Sequence, residues 1–156
     1  KNFNKTLKHQ TSKLKKNGRI IFSLRNELFN IASFNNYSIN FFSKFYKIEN
    51  QNPKIKNFFY RLFKGFDKRK NIKFKNIDDE KVYSSSHNPL TIISKLQKLN
   101  IRTNGIYYYH FHYLPSLFEK MDKKEFRKKS LKLERPNDWK GILMASAFVV
   151  DGQKIK

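Results

Sequence analysis

Cysteine is absent from this chain. That excludes disulfides, thiolate zinc sites and cysteine nucleophiles, and it leaves the redox compartment unmarked. Glycine (5) and proline (4) are scarce among 156 residues, and the glycines at 18, 65, 105, 141 and 152 stand too far apart for a phosphate-binding glycine loop. Long apolar runs are missing as well: the longest, 141–150, has about ten residues and includes Ser146, whereas a membrane-spanning helix needs roughly 18. Acids are the last scarcity, with 12 Asp and Glu against 34 Lys and Arg, for a formal net charge of +22. Such an excess is beyond what solubility requires and calls for a counter-charge. Nucleic acid is the first expectation, an anionic membrane surface the second and an acidic protein the third.

What is abundant carries a different message. Phe (16), Asn, Lys, Ile and Tyr are favoured, and all have A/T-rich codons, so part of the composition reflects coding bias. The imbalance between Lys and the acids survives that discount, because Asp and Glu codons are only slightly richer in G or C. The length suits one modest core. The expected organisation is α+β: a basic N-terminal arm at 1–19, then a single domain at 20–156, a small mixed sheet with packed helices, its completeness at the C-terminus left open.

Along the chain, residues 1–19 carry Lys1, Lys5, Lys8, Lys13, Lys15, Lys16 and Arg19 without an acid. Phe3, Leu7 and Leu14 offer little to bury, so this stretch reads as an arm that is disordered or orders only against a polyanion. Residues 19–24 suit a short strand or a first helical turn, and 25–48 read as two helices broken at Asn35-Asn36.

The segment 53–76 has Asp67 as its one acid. Ile55, Phe58, Phe59, Leu62, Phe63 and Phe66 recur at helical spacings, which predicts a face anchored in the core with Lys54, Lys56, Arg61 and Lys64 outside it. A basic turn with Lys68, Arg69 and Lys70 follows, then an alternating strand through Ile72, Lys73, Phe74 and Lys75.

Asn88-Pro89 starts a helix with Leu90, Ile93, Leu96 and Leu99 as its buried face. Asn104-Gly105 reads as a turn into a strand at 106–113, with Tyr107, Tyr109, Phe111 and Tyr113 on one face and Ile106, Tyr108, His110 and His112 on the other. Ser116 and Glu119 form a capping-box pattern for a helix reaching about Leu133. Its outer surface would carry Lys120, Lys123, Lys124, Arg127, Lys128, Lys129 and Lys132. Residues 142–150 read as a buried strand, and Asp151-Gly152 as a hairpin turn.

Chemistry other than charge has little support. Ser84, Ser85 and Ser86 beside His87 lie in a polar stretch without a nucleophile-elbow pattern. His110 and His112 alone do not make a metal site. Asp78, Asp79 and Glu80 suit a clamp on nearby lysines or a solvated loop. A non-enzyme without cofactor, metal or small-molecule substrate is therefore expected. The candidate RNA-binding residues are Lys54, Lys56, Arg61, Lys64, Lys68, Arg69, Lys70, Lys73, Lys75, Arg127, Lys128 and Lys129, since long cationic side chains contact phosphates without an exact motif. Phe58, Phe59, Tyr60, Phe74, Tyr107 and Tyr109 lie among cations and have rings suited to stacking on unpaired bases, but packing is their first expected role.

The pattern as a whole resembles organelle-encoded ribosomal proteins of A/T-biased genomes, such as protist mitochondrial ones. Locally, the helix through Arg127, Lys128 and Lys129, then Lys140-Gly141-Ile142, Ser146, Asp151-Gly152 and Ile155, resembles the C-terminal domain of the third protein of the small ribosomal subunit. Ser146-Ala147-Phe148 stands where that family has Ser-Gly-Arg. The resemblance implies rRNA and neighbouring ribosomal proteins as partners, the mitochondrial matrix as location and no membrane contact. The competing expectation is a non-catalytic accessory subunit of a mitochondrial respiratory membrane complex. A DNA-binding reading lacks helix-turn-helix or finger spacing.

Overall fold

A computed structural model describes residues 3–64 and 85–156. Its centre is a four-stranded mixed sheet of order β2-β1-β4-β3, formed by β1 (Arg19–Asn26), β2 (Ser86–His87), β3 (Ile101–Phe111) and β4 (Ala145–Lys154). The long strands are antiparallel, with β4 between β1 and β3, and β2 is a short parallel edge on β1. The helices are α1 (Phe3–Ser12), α2 (Phe29–Ala32), α3 (Asn36–Phe45), α4 (Pro53–Leu62), α5 (Pro89–Gln97), α6 (Lys123–Leu133) and α7 (Gly141–Met144). Short 3-10 turns lie at Ile48–Asn50 and Ser116–Lys120. The expected α+β class with a mixed sheet is what forms.

One face of the sheet makes the core. Phe148 and Val150 of β4, with Ile101, Tyr108 and Phe111 of β3, meet Leu7 of α1 and Ile92 and Leu96 of α5, while Ile20, Phe22 and Leu24 of β1 pack around them. Each fully buried Leu, Ile or Phe contributes about 1.5–3 kcal/mol, so this cluster dominates the stability of the fold.

Helix α1 corrects the reading of residues 1–19 as an arm with too little to bury. Leu7 is only 3% exposed, Thr11 four residues on is buried too, and Phe3 and Leu14 pack against the same core. The lysines face outward because one narrow stripe, Phe3-Leu7-Thr11, suffices to dock ten residues.

Both dipeptides read as turns lie inside strands. The ladder between β3 and β4 shifts at Thr103/Gly105, a bulge that absorbs Asn104, and β4 runs straight through Asp151-Gly152. A Cβ at Gly152 would meet Ile101 Cγ2 at 2.6 Å, so this glycine serves close packing. Asp151 is buried and receives two hydrogen bonds of 2.8 Å from Arg19, with Asn104 Nδ2 at 3.4 Å from the same carboxylate. The Arg19 hydrogen bonds and charge hold the Asp151 carboxyl below its ordinary pKa, against the effect of burial.

Three helical expectations shift. The buried face of α5 is Pro89, Ile92 and Leu96, while Leu90 and Ile93 are exposed; residues 90, 92, 93, 96 and 99 satisfy helical spacing in two rotations, and only packing chooses. The segment after Pro115 is a 3-10 turn, and α6 begins later with Asp122 accepting from Glu125 N at 2.9 Å. Residues 141–144 form α7 rather than strand. Here Asn26 fastens the end of β1, donating to the carbonyls of Gly141, Ile142 and Ala145 at 2.8–3.2 Å and accepting from Leu28 N at 3.0 Å.

The pair α3 and α4 stands apart from that core. Each begins with an asparagine cap, Asn35 and Asn52, so the expected break at Asn35-Asn36 and the expected helix after Pro53 both form. The expected anchoring of α4 does not hold. Phe59 is buried, but Ile55, Phe58 and Leu62 are exposed, Leu62 at 61%, and none belongs to the sheet's core cluster. Its rings pack locally, Phe59 on Phe63 at 4.8 Å and Phe63 on Phe42 of α3 at 6.1 Å.

Candidate nucleic-acid interface

Helix α6 carries the clearest cationic surface. Phe126 and Ser130 face inward, which turns Lys123, Lys124, Arg127, Lys128 and Lys132 to solvent. Lys129 is engaged, 3.3 Å from Glu125 and 5.3 Å from the ring centre of Tyr113. Like charges recur four apart at Lys123/Arg127, Lys124/Lys128 and Lys128/Lys132, each pair costing about 0.2–0.5 kcal/mol in an isolated helix. Lys123 and Lys124 also oppose the helix dipole at the N-terminal end. The arrangement is electrostatically unfavourable in the chain by itself.

The candidates on α4 are less uniform. Lys54 and Arg61 are exposed, and the Arg61 guanidinium lies 5.3 Å from the Phe58 ring centre. Lys56 pairs with Glu49, whose other oxygen accepts from Tyr60 Oη at 2.6 Å. Those hydrogen bonds, first from Lys56 and then from Tyr60, lower the Glu49 pKa, so Lys56 is already matched. Lys64 lies just past the helix, exposed. Lys68, Arg69, Lys70, Lys73 and Lys75, and the strand expected around them, lie outside the described residues. The two groups of candidates thus rest on different supports, α4 on the Ile48–Asn50 turn and α6 on β3 and the Ser116–Lys120 turn.

The expected pairing of His110 with His112 on one strand face is replaced by a kink. His110 has φ 57°, which breaks the alternation and sends Phe111 into the core beside Tyr108. His110 stays exposed, while the His112 ring sits 4.8 Å from Phe29 and 5.5 Å from Phe126. Burial lowers the His112 pKa; Glu119 opposes this and His110 reinforces it. The adjoining cleft of about 360 Å³ has Glu119 and Glu134 beside Lys123 and Arg127, a mixed-sign lining. Elsewhere, Ser85 Oγ lies 3.0 Å from His87 Nε2, and that ring packs 4.1 Å from Phe3. Burial, then Lys95, lowers the His87 pKa.

Sequence reasoning gave little weight to the sheet's second face. Across β4, the register places Arg102, Gln153 and Arg19 in one row, Gly105, Asp151 and Ile21 in the next, then Tyr107, Val149 and Ser23, then Tyr109, Ala147 and Arg25. Strand alternation puts Tyr107 and Tyr109 on one face, as the register has them, but it does not show that Arg102 beyond the bulge, or Ser23 and Arg25 of β1, share that face, and the kink at His110 sends the expected Phe111 to the core instead. No protein-family model matches the chain, and no curated protein matches it.

Proposed function

We infer that this chain is a non-catalytic structural constituent of the mitochondrial ribosome, binding rRNA through its basic surfaces. The observation that carries the reading is the outer surface of α6, where Lys123, Lys124, Arg127, Lys128 and Lys132 repel one another within about three turns. Phosphates relieve that repulsion, and the release of condensed counterions drives binding. The exposed lysines of α1, Lys5 and Lys8 among them, add a second basic strip, and neighbouring ribosomal proteins are the natural partners for the remaining surface. The assignment to the mitochondrial matrix rests on the A/T-biased composition together with the charge. The test is ionic strength: affinity for rRNA should fall steeply with salt, and Lys124→Glu with Lys128→Glu should flatten the slope. A salt-independent affinity would sink the reading.

One observation favours a second reading, an accessory subunit of a respiratory membrane complex. Phe45, Tyr46, Phe58 and Leu62 expose apolar surface on α3 and α4 beside Lys44, Lys47 and Arg61, a composition suited to a protein or lipid interface. Among the described residues no helix is long and apolar enough to cross a membrane. Sedimentation separates the two: retention with ribosomal particles after detergent favours the first, retention in a membrane complex after nuclease the second.

A further inference from the structure

We propose that the sheet face opposite the core is a stacking platform for unpaired nucleotides of RNA. The proposal rests on the RNA-binding reading above and gives it a site distinct from α6. Tyr107 and Tyr109 occupy successive rungs of β3, about 7 Å apart along the strand.

Both side chains are laid along the sheet. A Cβ at Gly105 would stand 2.6 Å from the Tyr107 hydroxyl oxygen and 2.7 Å from its Cζ, so the ring lies back over the glycine. Tyr109 reaches in the other direction, across β4, where its hydroxyl meets Ser23 Oγ of β1 at 2.5 Å. Its path from the Ala147 row to the Ser23 row crosses β4 between Ala147 and Val149, whose small side chains leave room for a ring. Tyr107 is 38% exposed, and Ile21 on the same face is 60% exposed.

Charge selects the occupant. Arg25 on β1 and Arg102 on β3 flank the rings, Arg102 held by a 2.7 Å hydrogen bond to neutral Gln153, and the acid on this face among the described residues, Asp151, is buried and matched by Arg19. Beyond Tyr109 the face continues into a cleft of about 420 Å³ whose lining, among the described residues, has no carboxylate; it includes Arg25, Asn30, Asn35, Tyr37 and Ser146. Flat rings, flanking guanidinium groups, and hydroxyl and amide groups that can pair with sugar and base edges suit a single strand. In a duplex the base faces are already stacked on one another and unavailable to the tyrosines.

The experiment uses the full chain and a short fluorescein-labelled oligoadenylate, single-stranded or annealed to its complement, with binding read by anisotropy. Tyr107→Ala with Tyr109→Ala should weaken single-strand binding roughly tenfold or more, with the salt slope retained. Tyr107→Phe with Tyr109→Phe should keep the affinity, because the rings remain and only the Ser23 hydrogen bond is lost. Gly105→Ala, which displaces Tyr107 without deleting it, should fall between. Circular dichroism establishes that each variant is folded. If the double alanine variant binds the single strand as the parent does, while Lys124→Glu with Lys128→Glu still weakens binding, the platform is overturned, the RNA reading stands and the face is left to a protein contact. If the parent shows no salt-dependent RNA binding, both fall.

Discussion

The sheet with α1 and α5 and the pair α3–α4 use similar residues to opposite effect. Around the sheet, Phe148, Leu96 and Ile101 are completely enclosed, because α1 from the start of the chain, α5 with β3 from its middle and β4 from its end converge on one face. In α3 and α4 a higher density of rings stays half in solvent, Phe45 and Phe58 among them, since α3 packs on the short helix α2 and the Ile48–Asn50 turn, α4 on that turn, and the two meet through side chains such as Phe42 and Phe63. Aromatic content therefore does not mark the core of this molecule. What marks it is convergence of long-range partners.

The largest loss is expected at β4. Phe148→Ala should cost about 3–5 kcal/mol, a large share of a total stability of about 5–15 kcal/mol, and abolish the cooperative urea transition or move its midpoint far down. Next is Leu7→Ala, expected to cost about 2–5 kcal/mol in the same titration. A parental midpoint would show that α1 is an appended arm after all.

A smaller effect is expected from pH. His112 and His87 have lowered pKa values in the folded chain, so the unfolded chain binds more protons as pH falls below the ordinary histidine value of about 6.5. Their stabilisation is complete above that value and is lost on acidification toward the folded pKa values. His112→Phe, which keeps a ring between Phe29 and Phe126, should make the denaturation midpoint less dependent on pH between neutral and mildly acidic buffer. An unchanged dependence would exclude His112 as a contributor. Asp151, also lowered, should resist acid until below the ordinary carboxylate range. The smallest effect belongs to α4: Leu62→Ser should stay within about 0.5 kcal/mol of the parent. A cost of core size would erase the distinction between the two regions.

The class of fold, the helix starts at Asn52-Pro53 and Asn88-Pro89 and the basic surface of α6 are legible in the sequence, because caps, periodicity and charge act locally. The misread places are those where a distant partner decides. Asn104-Gly105 and Asp151-Gly152 have the composition of turns, yet Tyr107 needs the first glycine, Ile101 packs on the second, and Arg19 makes a buried Asp151 tolerable. The rotation of α5 likewise depends on which leucines meet the sheet. For the candidate interface, the charge pattern marked the exposed basic surface of α6, whereas the common face of Tyr107, Tyr109, Arg25 and Arg102 exists only once β1 and β3 share β4 as neighbour.

That shared neighbour also governs how the chain can fold in time. Arg19 and Asp151, which pair across β1 and β4, are 132 positions apart, and closing a loop of that length costs on the order of 4 kcal/mol in chain entropy before any contact repays it. β1 and β3 pair with β4 rather than with each other, so neither long strand can complete its ladder until residues 145–154 have been synthesised. Folding should accordingly be slow and late, with a high share of distant contacts in its transition state. Through that interval a strongly cationic, ring-rich chain lacks the finished sheet on which its core is assembled.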